Sequence, residues 1–145
     1  MPDEGTPKPN IQPEQNEKID LRILVADDEE LIRGPIQEVL SEEYSCVESV
    51  TDGAELVKKV LEEGRECDFI VTDNNMREMD GIEAVRRIRA AGYNMPIIIL
   101  TAFDSDSLKS EIESLGAICM SKPIRLNELK DAIKRIRLEI QSRKK

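Results

Sequence analysis

A doubly wound α/β fold with a five-stranded parallel sheet is the structure that three features of this chain predict. Short apolar runs of strand length alternate with longer amphipathic segments of helix length, five times in succession. Runs such as residues 97–100 are apolar at every position, which is typical of strands covered on both faces and therefore of a parallel sheet. At 145 residues, the chain is long enough to bury the core of one such domain.

Each strand is predicted from a short apolar run that ends at a polar residue or a turn residue. In chain order, the predicted strands cover residues 23–26, 45–50, 69–71, 96–100 and 117–120. The predicted helices cover residues 29–40, 53–64, 81–91 and 106–115, and a fifth helix begins at residue 126. Right-handed crossovers between the strands favour the flavodoxin-like sheet order 2-1-3-4-5, with the weaker second strand near an edge.

The apolar stripes also predict which side chains each helix buries. The stripe of the first helix consists of Leu31, Ile32, Ile36, Val39 and Leu40, and that of the second helix of Ala54, Val57, Val60 and Leu61. The stripe of the third helix consists of Ile82, Val85 and Ile88. Pro35 is expected to kink the first helix or to leave its first turns irregular, because proline cannot donate a helical hydrogen bond.

The domain boundaries follow from composition. Residues 1–20 hold four prolines and no aromatic residue, so they offer too little apolar surface to offset the entropy of ordering and predict a mobile tail. Residues 21–142 are predicted to form the folded domain, and residues 143–145 a short basic end. No apolar run approaches the length of a membrane span and no secretory signal is visible, so the expected compartment is the cytoplasm.

Composition and charge exclude several kinds of function. The chain has 3 Cys and 0 His, without a C-x-x-C spacing, which excludes a zinc centre and a thiol nucleophile with a His base. The net charge of −9 argues against general nucleic-acid binding. Residues 122–145 nevertheless carry nine Lys and Arg against three Asp and Glu. This basic segment could contact nucleic acid or an acidic partner, although a solvated helix face is the favoured interpretation.

Polar side chains with related chemistry follow four of the predicted strands. Asp27 and Asp28 come after the first strand, Asp73 after the third, Thr101 after the fourth, and Lys122 after the fifth. The carboxyl ends of parallel strands lie along one edge of a sheet, and in the predicted order the first and third strands are neighbours. We therefore expect the three carboxylates to converge. A lone Asp after a strand would more often cap a turn, but the complete set favours a functional site.

This set of residues is suited to phosphoryl chemistry with a divalent metal. Three adjacent carboxylates repel one another, and Mg²⁺, which prefers carboxylate oxygens, water and phosphate, relieves the repulsion. Lys122 can pair with a phosphoryl oxygen, and the hydroxyl of Thr101 can donate to another. A carboxylate in these surroundings can attack phosphorus and become an aspartyl phosphate.

The same residues stand in motifs that resemble the receiver domain of two-component response regulators. The resemblance covers about residues 21–142. It rests on residues 24–29 (Leu-Val-Ala-Asp-Asp-Glu), Asp73, Met76, residues 79–81 (Met-Asp-Gly), Thr101-Ala102 and Lys122-Pro123. The family fold that it implies is the flavodoxin-like fold predicted above.

The resemblance implies a phosphoacceptor and a Mg²⁺ site. Asp73 would be the phosphoacceptor and, together with Asp28, a direct metal ligand. Asp27 would hold the metal through water, and Asn75 would offer its backbone carbonyl.

The resemblance also implies how a phosphoryl group is bound and sensed. Thr101 and Ala102 would form the switch and phosphate-binding position, and the ammonium of Lys122 would pair with the phosphoryl group. The peptide bond between Lys122 and Pro123 would be cis, the one kind of linkage in which the cis form costs little.

Three departures from the family pattern affect these expectations. Arg77 follows the loop Met76 where the family commonly has Pro. Cys119 stands three positions before Lys122, where an aromatic residue is typical of the family, so the usual coupling between the switch Thr and an aromatic ring is not expected. No effector domain follows in the sequence, so a stand-alone receiver with output through another molecule is expected.

The expected function is that of a signalling module, not of an enzyme. A sensor histidine kinase or a histidine phosphotransfer protein would donate the phosphoryl group to Asp73 from its phosphohistidine. One alternative is a receiver-like binding module that works without phosphorylation. Another is a phosphatase with an Asp nucleophile, which would need a second acid two residues later, where this chain has Asn75.

The output surface is expected on one side of the domain. The helix at 106–115 has few apolar residues to hold it, so it is expected to be the least firmly docked helix and to carry the response. Together with the last strand and the last helix, it forms the expected docking face for a partner protein or a second copy of the chain. The last helix has a heptad-like seam from Leu126 to Ile140, and Ile140 and the basic end are expected to remain free.

Overall fold

The structure, a computed structural model, describes residues 17–63, 67–102 and 105–143. Within these residues the strands are β1 (Ile19–Ala26), β2 (Tyr44–Val50), β3 (Phe69–Asp73), β4 (Ile97–Thr101) and β5 (Ile118–Ser121). The helices are α1 (Glu30–Glu43), α2 (Gly53–Glu63), α3 (Gly81–Ala90), α4 (Asp106–Ser114) and α5 (Leu126–Arg143). Strands and helices therefore alternate along the chain, as the sequence predicts.

All five strands pair in parallel in the order β2-β1-β3-β4-β5, which confirms the predicted doubly wound, flavodoxin-like sheet. β2 lies at one edge, as expected, and β5 at the other. Ala26 of β1 pairs with Thr72 of β3, and Asp73 pairs with Leu100 of β4. This register brings Asp27, the residue after Ala26, beside Asp73 at the carboxyl edge of the sheet.

Helices cover the sheet on both faces. The core on the face of α1 and α5 contains Ile23, Val25, Ile36, Leu40, Tyr44, Phe69, Val71, Ile98, Leu100, Leu129, Ala132, Ile133 and Ile136. The core on the face of α2, α3 and α4 contains Leu24, Ala26, Val50, Leu56, Val60, Cys67, Ile70, Ile82, Ala84, Val85, Ile88, Ile97, Ile99, Ile112 and Ala117. Every residue of β3 and β4 is buried, so close packing fixes the two strand ends that carry Asp73 and Thr101.

The buried faces of the first two helices differ from the prediction. Leu31 is 90% exposed, and Leu61 is 48% exposed. Each of them lies five positions from a fully buried residue, Ile36 in α1 and Leu56 in α2, and five residues correspond to a rotation of roughly 140° around a helix. The fully buried residues of each helix, Ile36 with Leu40 and Leu56 with Val60, are instead four positions apart. The predicted stripe of α3 is confirmed, since its three members are buried.

The boundaries of several elements also differ from the prediction. β1 begins at Ile19, so the predicted tail is wrong for residues 19–20, while residues 1–16 lie outside the described residues. α1 contains Pro35 and is continuous from Glu30, without the irregular first turns that were one of the two expected effects of this proline. The predicted end of the second helix, Gly64, lies outside the part of the chain that the structure describes.

The last helix packs more completely than the sequence predicts. Leu129, Ile133 and Ile136 are buried, as expected. Ile140 is partly buried against the core of the α1 and α5 face, so the expectation that it remains free is wrong. Residues 144–145 of the predicted basic end lie outside the described residues. None of the described helices combines the length and the apolar character that crossing a bilayer requires.

Candidate functional site: an acidic cluster at the carboxyl edge of the sheet

The three predicted carboxylates converge at the carboxyl edge of the sheet. One carboxylate oxygen from each of Asp27, Asp28 and Asp73 lies within 4.8 Å of the others. Asp27 and Asp28 follow β1, and Asp73 is the last residue of β3, which is the neighbour of β1 in the sheet. The cluster therefore results directly from the strand order and register.

Lys122 and Thr101 complete the site from the other side. The ammonium Nζ of Lys122 lies 2.5 Å from Oδ1 of Asp73. The backbone N–H of Lys122 donates to the carbonyl oxygen of Thr101 at 2.8 Å, which ties the end of β5 to the end of β4. Thr101 is 1% exposed and follows Leu100, the residue that pairs with Asp73. The peptide bond between Lys122 and Pro123 is cis.

Burial determines the electrostatics of Asp27. Its side chain is 1% exposed, and burial raises the pKa of its carboxyl to about 6, with a further contribution from the charge of Asp73. Oδ1 accepts the backbone N–H of Glu29 at 2.9 Å. Oδ2 is buried and has no hydrogen-bond partner within the described residues. The site therefore contains a buried carboxylate oxygen that is available for coordination.

Asp73 and Asp28 have different surroundings. Burial raises the pKa of the Asp73 carboxyl, and the neighbouring ammonium of Lys122 opposes this shift. The side chain of Asp28 is 20% exposed, and its Oδ2 accepts the backbone N–H of Arg77 at 3.2 Å. The cluster thus combines two buried carboxylates with one that is partly exposed to solvent.

These donors fit a magnesium ion. Mg²⁺ prefers oxygen ligands and in proteins is commonly held by one or two carboxylates, with water and phosphate at the other positions. Asp28 and Asp73 would hold it directly, and Asp27, through its unpartnered Oδ2, would hold it through water. The resulting charge balance would remove the repulsion among the three carboxylates.

The other predicted site residues lie around the cluster. Asn75 is exposed in the loop between β3 and α3, two residues after Asp73. Ala102 is exposed directly after β4, and Pro123 is exposed after β5. These positions border the cluster at the same edge of the sheet. The cis bond predicted before Pro123 is confirmed, whereas the roles of Asn75 as a carbonyl ligand and of Ala102 as a phosphate contact remain predictions.

Asn74 is a positioning residue that the sequence reasoning did not identify. It is buried, and its backbone N–H donates to the carbonyl of Leu100 at 2.8 Å. Its carbonyl and its Oδ1 accept the backbone N–H groups of Gly81 and Ile82 at 2.9 and 3.1 Å. Asn74 thus binds the start of α3 to the end of β3. A polar residue directly after a buried strand was the available signal, but it did not indicate these partners.

Two glycines allow the loop after β3 to lie close to its neighbours. A Cβ at Gly81 would overlap the carbonyl oxygen of Asp73, and a Cβ at Gly53 would overlap the carbonyl oxygen of Met79. The backbone N–H of Gly53 also donates to that Met79 carbonyl at 3.1 Å. The loop that carries Asn75 and Arg77 is therefore held at both ends.

Fold and site together define a doubly wound α/β domain whose acidic cluster lies at the carboxyl edge, where the strand order reverses and where open α/β sheets bind ligands. The family model of the response regulator receiver domain matches residues 23–134, and the chain belongs to this family. It is therefore a receiver domain of a response regulator in two-component signalling, which confirms the resemblance seen in the sequence.

Two curated relatives are a transcriptional regulatory protein and a response regulator. The transcriptional regulatory protein PdtaR of Mycobacterium tuberculosis is 38% identical over 114 residues, which cover 77% of this chain and 54% of PdtaR. The response regulator MprA of Mycobacterium leprae is 36% identical over 110 residues, which cover 75% of this chain and 47% of MprA. The chain spans about half the length of these relatives.

Solved receiver structures share the fold. The receiver domain of the Francisella response regulator 1452 superposes with a TM-score of 0.73 at 31% identity, covering 87% of this chain and 100% of that domain. CheY in the CheX–CheY–BeF3–Mg²⁺ complex from Borrelia burgdorferi superposes with a TM-score of 0.75 at 22% identity, covering 81% of this chain and 90% of that chain. At the latter identity the likeness concerns the fold alone.

Proposed function

We propose that this chain accepts a phosphoryl group on Asp73 from the phosphohistidine of a partner, in the presence of Mg²⁺, and thereby changes a protein-binding surface. The observation that carries the proposal is the site itself: three carboxylates within 4.8 Å of one another, with the Lys122 ammonium 2.5 Å from Asp73. The CheY of B. burgdorferi, which shares the fold, forms a complex that contains BeF3 and Mg²⁺. The chain acts as an acceptor and a signal carrier, not as an enzyme with a separate substrate.

The transfer is a substitution at phosphorus. A carboxylate oxygen of Asp73 forms a bond to phosphorus, and the bond between phosphorus and the imidazole nitrogen of the donor breaks. The electron pair of that bond returns to the imidazole, which takes up a proton and leaves. Water later attacks the phosphoryl group and regenerates the Asp73 carboxylate and phosphate.

Lys122 supports this step in two ways. Its ammonium opposes the rise in the pKa of Asp73 that burial causes, which favours the ionised, nucleophilic form of the acceptor. After transfer, the same ammonium lies within reach of a phosphoryl oxygen. A bound Mg²⁺ would supply additional charge neutralisation for the phosphoryl oxygens. The buried hydroxyl-bearing Thr101 lies at the end of the next strand and is the proposed sensor of the phosphoryl group.

An apolar groove beside the site offers a surface for the phosphohistidine donor. The groove has a volume of about 330 Å³ and is lined by Leu31, Ile32, Pro35, Ile36, Lys122, Pro123, Ile124 and Leu126. Leu31 projects into solvent at its rim, with 90% of its surface exposed. A partner that buries Leu31 would bring its phosphohistidine next to the site, because Lys122 belongs to both the groove and the site.

Loss of the metal site tests the proposed function directly. Asp28→Ala is expected to weaken Mg²⁺ binding by at least about a hundredfold, because it removes a direct ligand from a site that has few. Calorimetric titration with MgCl₂ measures the affinity, and intact-mass spectrometry after treatment with acetyl phosphate measures phosphorylation, which should fall in parallel. Asp20→Asn, a neutralised carboxylate at the start of β1, is the control. Unchanged Mg²⁺ affinity in Asp28→Ala would contradict the proposed site.

The output surface that we propose consists of α4, the edge strand β5 and α5. Ile118 of β5 is 39% exposed, and only Ile112 of α4 is buried among the described residues of that helix. A cleft of about 350 Å³ between β5 and α5 is lined by Ile118, Cys119, Met120, Glu128, Asp131, Ala132 and Arg135. Phosphorylation of Asp73 changes the charge at the nearby ends of β4 and β5, and a partner protein or a second copy of the chain would detect the change on this surface.

Charge reversals on the two sides of the domain test this surface. Lys109→Glu on α4 and Lys134→Glu on α5 are expected to weaken phosphorylation-dependent association, because both side chains are exposed on helices that form the proposed surface. Lys58→Glu and Glu62→Lys, on the exposed side of α2, are the matched controls. Sedimentation velocity with and without beryllofluoride and Mg²⁺ measures self-association, and affinity capture from the native cells measures partner binding. Loss of association only in the α2 variants would refute the surface.

A further inference from the structure

Arg77 lies in the loop between β3 and α3, directly beside a carboxylate of the acidic cluster. Its backbone N–H donates to Oδ2 of Asp28 at 3.2 Å, and its guanidinium Nε lies 3.9 Å from the same oxygen. The Arg77 side chain is 86% exposed, whereas that of Asp28 is 20% exposed. A solvent-exposed cation is thus held at the open side of the cluster.

Each carboxylate of the cluster has a different positively polarised neighbour. Asp73 pairs with the largely buried ammonium of Lys122. Asp27 accepts a backbone N–H at the entry to α1. Asp28 has Arg77, whose side chain is long, exposed and joined to the cluster by a longer ion pair. Of these neighbours, the guanidinium of Arg77 is the one that can leave the cluster without disturbing a buried contact.

We propose that Arg77 competes with the divalent cation for Asp28 and so sets the Mg²⁺ affinity of the site. The guanidinium neutralises Asp28 when no metal is bound, and it is repelled from the carboxylate when Mg²⁺ binds there. The inference rests on the proposed function, since it takes Asp28 as a direct Mg²⁺ ligand. Arg77 therefore lowers the affinity for the cation through Asp28, although it does not bind the cation itself.

The loop backbone can remain in place while the side chain leaves. The N–H that donates to Asp28 belongs to the main chain of Arg77. The main-chain carbonyl of Arg77 accepts the N–H of Met79 at 2.6 Å. Glu78 has a φ of 65°, a left-handed conformation that makes a tight turn at this point. Removal of the guanidinium therefore changes the charge at the cluster and preserves the hydrogen bond that orients Asp28.

Arg77→Ala is expected to bind Mg²⁺ about threefold to tenfold more tightly than the parent chain, which is the effect of removing one exposed competing charge near the ion. Arg77→Lys restores a cation at the same place and should return the affinity towards that of the parent chain. Arg87→Ala is the control, because it removes the same charge from α3, where Arg87 pairs with Glu83 away from the cluster. Calorimetric titration with MgCl₂ measures the Mg²⁺ affinity of the parent chain and the three variants at low ionic strength. The differences in affinity should shrink at high NaCl concentration, because salt screens the charge of Arg77.

Unchanged or weaker Mg²⁺ binding in Arg77→Ala would overturn the inference, and so would an equal gain in Arg87→Ala, which would indicate a general effect of net charge. Both results would leave the proposed function intact, provided that Asp28→Ala still loses the metal. A parent chain that binds no Mg²⁺ would instead remove the metal site of the proposed function together with this inference.

Discussion

Asp73→Asn is expected to abolish formation of the acid-stable, base-labile acyl phosphate that the parent chain forms with Mg²⁺ and acetyl phosphate. An amide cannot act as the nucleophile, although it has nearly the same shape and fits the same buried position. Its oxygen can still accept a hydrogen bond from Lys122, so the end of β5 should keep its place. Intact-mass spectrometry shows the gain or the absence of one phosphoryl group.

Asp80→Asn is a matched control for this experiment. Asp80 lies on the same loop as the acceptor, and its Oδ1 accepts the backbone N–H of Glu83 at 2.9 Å as the N-cap of α3. Asn is an equally good N-cap, so this variant should fold and become phosphorylated like the parent chain. Equal phosphorylation of Asp73→Asn and the parent would assign the acceptor role to another carboxylate. Loss of phosphorylation in both variants would point to the loop as a whole.

The sheet and the cluster of carboxylates were predictable from sequence because both depend on patterns that are local in the chain. Fully apolar runs such as residues 97–100 define buried parallel strands, and the residue that follows each run marks the carboxyl edge. Once the first and third strands are neighbours, the convergence of Asp27 with Asp73 follows from the register. No knowledge of side-chain packing is needed for this step.

The buried faces of α1 and α2 were less predictable because adjacent apolar residues leave the orientation of a helix open. Leu31 and Ile32 are both aliphatic, but Ile32 packs against the core while Leu31 is 90% exposed. Packing against the sheet determines the orientation, and packing is not visible in the spacing of hydrophobic residues. The exposed Leu31 instead contributes to the groove beside Lys122, so the failed prediction marks a surface with a proposed role.

Contacts within the loop after β3 could not be predicted at all. The side chain of Asn74 accepts the N–H of a residue eight positions further along the chain. Arg77 and its partner Asp28 are 49 residues apart. Such contacts depend on the path of the loop, which the close approach of Gly53 to Met79 helps to determine. The sequence indicated that Arg77 departs from the family pattern, and the structure shows which carboxylate it contacts.

Asp27→Asn is expected to stabilise the metal-free protein at pH 7 while it weakens the binding of Mg²⁺. Burial raises the pKa of Asp27 from 3.8 to about 6, so the folded state favours the protonated carboxyl more than the unfolded state does. The cost of the ionised form is therefore absent below the unfolded pKa of 3.8 and complete above the folded pKa of about 6. An amide avoids this cost and keeps an oxygen that can accept the N–H of Glu29.

The expected gain at pH 7 is up to about 3 kcal/mol in the free energy of unfolding, which corresponds to a rise in Tm of up to about 10 °C. Thermal unfolding in EDTA at pH 7 and at pH 4 should show this gain at pH 7 and little of it at pH 4, where the parent Asp27 is largely protonated in the folded state.

Asp131→Asn, the same change at an exposed position on α5, should leave Tm nearly unchanged at both pH values. Added MgCl₂ should raise the Tm of the parent chain more than that of Asp27→Asn, because only the parent retains the full set of carboxylates. A lower Tm for Asp27→Asn than for the parent at pH 7 in EDTA would mean that the ionised carboxylate stabilises the fold, which contradicts a raised pKa at this position.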